Sequence, residues 1–243
     1  MDGSLSEIID SGNISLLKQI YSKDSLTHYH IDGFFQVKNH SFDSMSLLQY
    51  TILRQKLDVA SFLLSCSVPI NEVYSGWTAL HLASYLGLHD FVDLLLFYGA
   101  NPILTSEKTT NETPLYIAIR QNDVKSVHSM LRALGTVSQP SLLHLAIRVG
   151  NPEIVKLLVL YGANPNQEDS SGKTSFQILQ LPQQSEIEKI LKNTRPLPFS
   201  PTNPDFDRFI LFDTPINSLA DLLAQVDVPE VEEEKINIPF YRA

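Results

Sequence analysis

The sequence has 243 residues, of which 43% are hydrophobic and 19% are charged, so it can bury one or two cores. Its formal net charge is −9 and its pI is about 5.2. This balance argues against nucleic acid or an anionic membrane as the partner. The longest apolar stretch, residues 91–100, is interrupted by Asp93 and is too short to cross a bilayer. We therefore expect no nucleic-acid partner and no membrane insertion.

The first residues, MDGS, are acidic and polar and lack the basic and apolar regions of a secretory signal. Cys66 is the single cysteine, so it cannot form an internal disulfide, which fits a reducing compartment. The expected location is cytoplasmic, extending to the nucleus, and the expected oligomeric state is monomeric.

Two helical pairs are predicted in the first third of the chain. The first begins at Leu5 and reads LSEIIDSGNISLLKQI, and the second begins at Leu48 and reads LQYTILRQKLDVASFLL. Both show apolar residues at helical spacing. Because the anchors at positions 5 and 48 are 43 residues apart, wider than any later spacing, we expect an insertion at residues 26–44.

The next three pairs are the most regular. Residues 78–102, TALHLASYLGLHDFVDLLLFYGANP, match residues 141–165, SLLHLAIRVGNPEIVKLLVLYGANP, over 25 positions without a gap. Between them, TPLYIAIRQNDVKSVHSML is a weaker copy. Each copy predicts helix, tight turn and helix, and in the two stronger copies a glycine, Gly99 or Gly162, follows the second helix, where a positive φ ends it.

A sixth, degraded unit begins near Phe176, as expected for a terminal repeat. Counting from the entry leucine or its equivalent, the anchors fall near residues 5, 48, 80, 115, 143 and 176. The interval from 115 to 143 is short, so we expect a missing or stunted connection before the fifth unit. Residues 1–194 would then form one cooperative stack.

These units resemble the ankyrin repeat, with its TPLHxA entry, central glycine and GA-D/N exit. The third unit carries the pattern most fully. Its matching residues are Thr78, Leu80, His81, Ala83, Gly87, Leu94, Leu95, Gly99 and Ala100. The resemblance implies an all-α solenoid of about six units with short β-hairpin fingers between them, and it implies binding to another protein rather than catalysis.

The composition changes after the sixth unit. Four prolines between residues 196 and 204 mark residues 195–204 as a linker. Residues 205–243 then carry nine acidic and three basic residues, net −6, with one short amphipathic helix predicted around Leu219–Val226. This extension could dock on the last repeat, which its apolar FDRFILF segment favours, bind another protein, or be disordered.

In ankyrin proteins the concave groove comprises the finger tips and the outward positions of each first helix. Carried onto this chain, the binding candidates are Tyr74, Trp77, Tyr85, Leu86, Arg54, Arg120, Gln121 and Arg148, flanked by Leu53, Glu112 and Val149. Exposed tryptophan, tyrosine and arginine are enriched at interface hot spots. The alternative for Trp77 is packing against the adjacent finger.

Three arginines, Arg54, Arg120 and Arg148, occupy equivalent positions and would form a ladder along the groove. If they act together, they select an extended partner that carries several carboxylates. The alternative is that they are unrelated surface charges.

No residue set predicts catalysis, a metal or a cofactor. His81 and His144 occupy the TxLH position, where the imidazole is structural, and the His28, His30 and His40 group lacks further ligands. Cys66 reads as a packed, inert thiol. The sequence thus favours a non-enzymatic adaptor. A secreted bacterial or viral effector acting in the host cytosol and a module auto-inhibited by its acidic tail are the alternatives.

Overall fold

A computed structural model describes residues 2–21, 29–105, 112–137, 139–179 and 185–194. These residues form eleven α-helices and two β-strands. In chain order they are α1 (Asp2–Ser11), α2 (Ile14–Tyr21), β1 (His30–Val37), β2 (His40–Ser46), α3 (Leu47–Leu53), α4 (Leu57–Ser65), α5 (Ala79–Leu86), α6 (His89–Phe97), α7 (Pro114–Arg120), α8 (Val124–Leu134), α9 (Pro140–Val149), α10 (Pro152–Leu160) and α11 (Ser185–Asn193). The linker at 195–204 and the acidic extension lie outside the described residues.

The helices are arranged as stacked pairs. The first helices α3, α5, α7 and α9 pack side by side, and the second helices α4, α6, α8 and α10 form a parallel layer behind them. Within the pairs, α3 contacts α4 and α5 contacts α6, and so on along the chain. The core is therefore one continuous apolar layer between the two rows of helices.

Local sequence explains where these helices begin and end. Thr78 precedes α5 in an extended conformation, and its hydroxyl accepts a hydrogen bond from the His81 backbone N–H. Gly87 ends the helix with φ +71°, a left-handed conformation that disfavours residues with a Cβ. Asn151 caps α10 by accepting hydrogen bonds from the backbone N–H groups of Glu153 and Ile154.

The region between α2 and α3 departs from an all-α solenoid with short fingers. It contains a β-hairpin with strands of eight and seven residues, paired antiparallel from Val37 with His40 to His30 with Ser46. By comparison, the finger before α5 is a single bridge between Tyr74 and Trp77. The hairpin belongs to the core, because Phe42 and Met45 on β2 are fully buried.

The junction before the fifth unit is short. Residues 135–137 and 139 form a loop, in which the Val137 N–H donates to the Tyr161 carbonyl over 2.9 Å. Ser141, which aligns with Thr78, lies inside α9 because that helix already begins at Pro140. Proline favours the first turn of a helix, so α9 needs no finger to start it.

The last described helix closes the stack. Ile187 and Leu191 on α11 are buried, and α11 packs against α10. Glu186, Glu188 and Lys192 on the same helix are exposed. The exposed face of α11 is therefore polar, as the outer face of a terminal repeat must be to stay in water.

Candidate protein-binding groove

The β-hairpin leans over the third unit. The Ser75 hydroxyl, in the finger before α5, accepts a hydrogen bond from the Asp43 N–H over 3.1 Å and donates to the Ser44 carbonyl over 3.2 Å. The Phe42 ring lies 5.6 Å from the Trp77 ring, edge to face. Strand β2 therefore runs alongside this finger.

The tip of the hairpin, residues 38–40, reaches the end of α5. The Lys38 ammonium donates to the Tyr85 carbonyl over 3.0 Å, and the Asn39 N–H points at the Tyr85 hydroxyl at 3.4 Å. The His40 ring centroid lies 4.5 Å from that of Trp77 and 4.8 Å from that of Tyr85. The tip thus covers the groove-facing side of the third unit.

This cover corrects the expectation that Trp77 and Tyr85 are exposed anchors. Trp77 is 2% exposed and Tyr85 is 6% exposed, because the hairpin packs on both rings. Tyr74 and Leu86 are partly buried, and the Tyr74 ring stacks on the His30 ring at 5.8 Å. Trp77 and Tyr85 are therefore packed side chains, and for Trp77 the alternative of packing against the adjacent finger agrees with its burial.

The three arginines of the predicted ladder each face a carboxylate. Arg54 binds Asp10 with two hydrogen bonds of 2.6 and 2.9 Å. Arg120 pairs with Glu112, and Arg148 contacts Asp169 at 3.3 Å. The three arginines therefore differ in their surroundings. Arg54 joins the second unit to α1 through Asp10, whereas Arg120 lies on the fourth unit and Arg148 on the fifth.

The pairs in the fourth and fifth units are asymmetric in exposure. The Arg148 side chain is 63% exposed and Asp169 is 9% exposed, while Arg120 is 37% exposed and Glu112 is 15% exposed. Asp169 is held by its own turn, accepting hydrogen bonds from the Ser171 hydroxyl and from the backbone N–H groups of Ser171 and Lys173. These bonds, the Ser171 hydroxyl first, lower the pKa of Asp169 to about 2. The guanidinium groups, with Gln121 exposed beside Arg120, thus form the solvent-facing part of the surface.

A series of side chains ties each first helix to the next finger. The Nε2 atom of His81 donates to the Glu112 carbonyl over 3.2 Å, and that of His144 lies 2.8 Å from the Lys173 carbonyl. The Gln49 side chain takes the same role by donating to the Trp77 carbonyl over 2.8 Å. Sequence reasoning missed Gln49, although Ser46 and Gln49 form a capping box that could have revealed it.

Burial is the main cause of the pKa shifts of two further side chains, His81 and Cys66. Burial lowers the pKa of His81 to about 4 and raises that of the Cys66 thiol. Within the described parts of the chain, no group of three or more histidine, cysteine, aspartate or glutamate side chains could hold a metal ion. Over the same residues, no helix is both long and apolar enough to span a membrane.

Comparison with known proteins decides the family. The sequence profile described as "Ankyrin repeats (3 copies)" matches residues 5–106 and 103–169. The chain belongs to the ankyrin-repeat family. Ankyrin repeats generally serve protein–protein interaction, and their stacked helical pairs agree with the solenoid described above.

Several ankyrin-repeat relatives share part of the chain. It is 36% identical over 135 residues to Inversin of Canis lupus familiaris, covering 52% of this chain and 12% of that protein. It is 30% identical over 106 residues to the E3 ubiquitin-protein ligase KEG of Arabidopsis thaliana, covering 41% and 6%. Ankyrin repeat and SOCS box protein 11 of Mus musculus is 29% identical over 129 residues, covering 51% and 39%. The aligned part spans about an eighth of Inversin's length, so the resemblance concerns the repeats and not the whole relatives.

Proposed function

We propose that this chain is a non-enzymatic adaptor that binds a partner protein through the open part of its ankyrin groove. The open part is formed by the first helices of the fourth and fifth units, α7 and α9, since the hairpin covers the third unit. The observation that carries the proposal is the projection of Arg120 and Arg148 beyond the carboxylates they contact.

The proposed partner presents an acidic, extended segment to these arginines. A guanidinium can hold a carboxylate with two parallel hydrogen bonds, and among the described residues Arg148 makes one hydrogen bond, of 3.3 Å to Asp169. Gln121 offers a neutral donor and acceptor on the same surface. The chain's own acidic extension, residues 205–243, carries the same chemistry and is the alternative occupant.

Affinity capture from the native cell type tests this proposal. The full chain is compared with an Arg148→Glu variant, and with Lys156→Glu on the second helix α10 as a control with the same change in charge. Lys156 is exposed and lies on the layer behind the groove. We expect the partner to be lost from Arg148→Glu and retained by Lys156→Glu. A partner retained equally by both variants would move recognition away from the groove.

A further inference from the structure

The hairpin has a fixed base and a polar tip. At the base, Phe42 and Met45 are buried, and Met45 pairs with Ile31 across the two strands. At the tip, Lys38 and Asn39 are exposed, yet both bond to Tyr85. The base is thus part of the core, and the tip is the part that lies in the groove.

We propose that this tip occupies the groove of the third unit as a built-in ligand, so that a partner's segment ends against the tip and lies over the fourth and fifth units. This inference rests on the proposed function, because it defines where along the groove the partner can bind. The inference defines where the binding surface ends along the groove and how long a bound segment can be.

The contacts of the tip are those expected of a bound ligand. Lys38 places its ammonium on the Tyr85 carbonyl near the C-terminus of α5, where a cation is favoured, and 4.9 Å from the Tyr85 ring centroid. Lys38 also has φ +50°, a left-handed conformation that is uncommon for a residue other than glycine. A positive φ at this position belongs to the two-residue turn between Val37 and His40.

The tip also borders the fourth unit. Burial lowers the pKa of His40, Glu112 raises it and Arg120 lowers it, so the Glu112–Arg120 pair of the fourth unit lies within electrostatic reach of the tip. Arg120, on α7, is therefore a charge of the open groove that lies close enough to influence the tip. A segment that bound across the third unit would have to displace Lys38, Asn39 and His40.

The open groove fits a short segment. Neighbouring packed helices lie roughly 8–10 Å apart, so two units span about 20 Å, which an extended chain covers with about six residues. Arg120 and Arg148 lie on these two units and favour carboxylates. The expected segment is therefore about six residues long and acidic.

The single tryptophan provides a direct test, because Trp77 lies under the hairpin. A random-peptide display library is selected on the full chain, and the best peptide is measured by fluorescence anisotropy. We expect acidic peptides whose affinity falls roughly tenfold or more, or about 1.4 kcal/mol, with Arg148→Glu and is unchanged with Lys156→Glu. Saturating peptide should leave the emission maximum of Trp77 and its quenching by acrylamide unchanged.

The outcomes separate the two proposals. A peptide that is lost with Arg148→Glu but exposes Trp77 to acrylamide displaces the tip; the groove function would stand and the built-in ligand would be wrong. A peptide insensitive to Arg148→Glu, or a library without acidic binders, would overturn both the acidic groove site and the inference that depends on it.

A variant of the tip gives an independent readout. Lys38→Ala combined with His40→Ala removes the ammonium and the imidazole that hold the tip on α5, while Phe42 and Met45 keep the base in place. We expect acrylamide quenching of Trp77 to rise while circular dichroism stays unchanged. Phe34→Ala, on the same hairpin but 75% exposed, should leave quenching unchanged. Quenching that is equal in all three proteins would show that the tip does not cover the groove.

Discussion

His81 performs two tasks in one side chain. Its Nδ1 atom accepts from the Thr78 backbone N–H and so helps to cap α5, while Nε2 donates to the Glu112 carbonyl of the next finger. The Nδ1 bond requires the neutral ring with the proton on Nε2, and burial lowers the pKa to about 4. The residue therefore makes both bonds together only while it is uncharged.

This residue makes stability depend on pH in a defined window. The unfolded histidine has an ordinary pKa near 6.5, so the unfolded state binds the proton first as the pH falls from 6.5 towards 4, and stability is lost in that range. At pH 5 the loss from His81 alone should be about 2 kcal/mol.

The change His81→Gln should remove this part of the pH dependence, since Gln49 makes the equivalent contacts in the second unit without a titrating group. Urea unfolding at pH 7.5 and pH 5 measures it for both proteins. If the two lost the same free energy between these pH values, the buried neutral histidine would not be the source.

Two phenylalanines of the hairpin differ in how much they are expected to contribute to the stability of the fold. Phe42 and Phe34 lie on its two strands, but Phe42 is 1% exposed and Phe34 is 75% exposed. Phe42 contacts Trp77, so it joins the hairpin to the third unit. Phe34 lies between Asp32 and Phe35, where a bulge shifts the strand register.

We expect Phe42→Ala to lower the free energy of unfolding by about 3–5 kcal/mol, since it leaves a cavity in the core. Phe34→Ala should change it by less than about 0.5 kcal/mol. Chemical denaturation of both variants provides the comparison, with the Trp77 emission as probe. Equal losses would mean that the hairpin is not packed as described.

The sequence predicts extra residues between the first and second units, but it does not predict the hairpin formed by residues 30–46. The wide spacing between Leu5 and Leu48 exposes the extra residues. The hairpin escaped notice because its turn, Lys38 and Asn39, has no glycine and the bulge interrupts the alternation of β1. The burial of Trp77 could not be read from the repeat pattern, because the covering residues belong to another unit.

Repeats can also share one backbone conformation while different residues occupy the same position. Gln55 ends the first helix of the second unit with φ +55°, and Asn122 does so in the fourth with φ +59°, whereas Gly87 holds this place in the third. A glycine at this position predicts the turn from the sequence, whereas glutamine or asparagine does not. The resemblance is therefore weaker in the second and fourth units than in the third and fifth, although their helical pairs are complete.

At the scale of the whole molecule, stability comes from stacking, and the ends need closing. Ile187 on α11 is 2% exposed and covers the apolar side of α10, while Lys189 on the same helix is exposed. A repeat array with an uncovered end exposes a continuous apolar face, which favours association.

The change Ile187→Asp should therefore lower the free energy of unfolding by about 3 kcal/mol, because it buries an unpaired charge. It should also promote self-association, measured by sedimentation at increasing concentration. Lys189→Asp, a larger change in charge at an exposed position, should do neither. A monomeric and fully stable Ile187→Asp protein would show that α11 does not close the stack.

The unequal connections between units have a consequence for how such a protein can diversify. One junction carries a long hairpin, another has a loop at residues 135–137 and 139, and the helical pairs on either side keep their packing in both cases. Length at these junctions is therefore nearly independent of the scaffold. A new recognition loop grafted between α8 and α9, before the helix that carries Arg148, could change which proteins are selected while the helical stack stays the same.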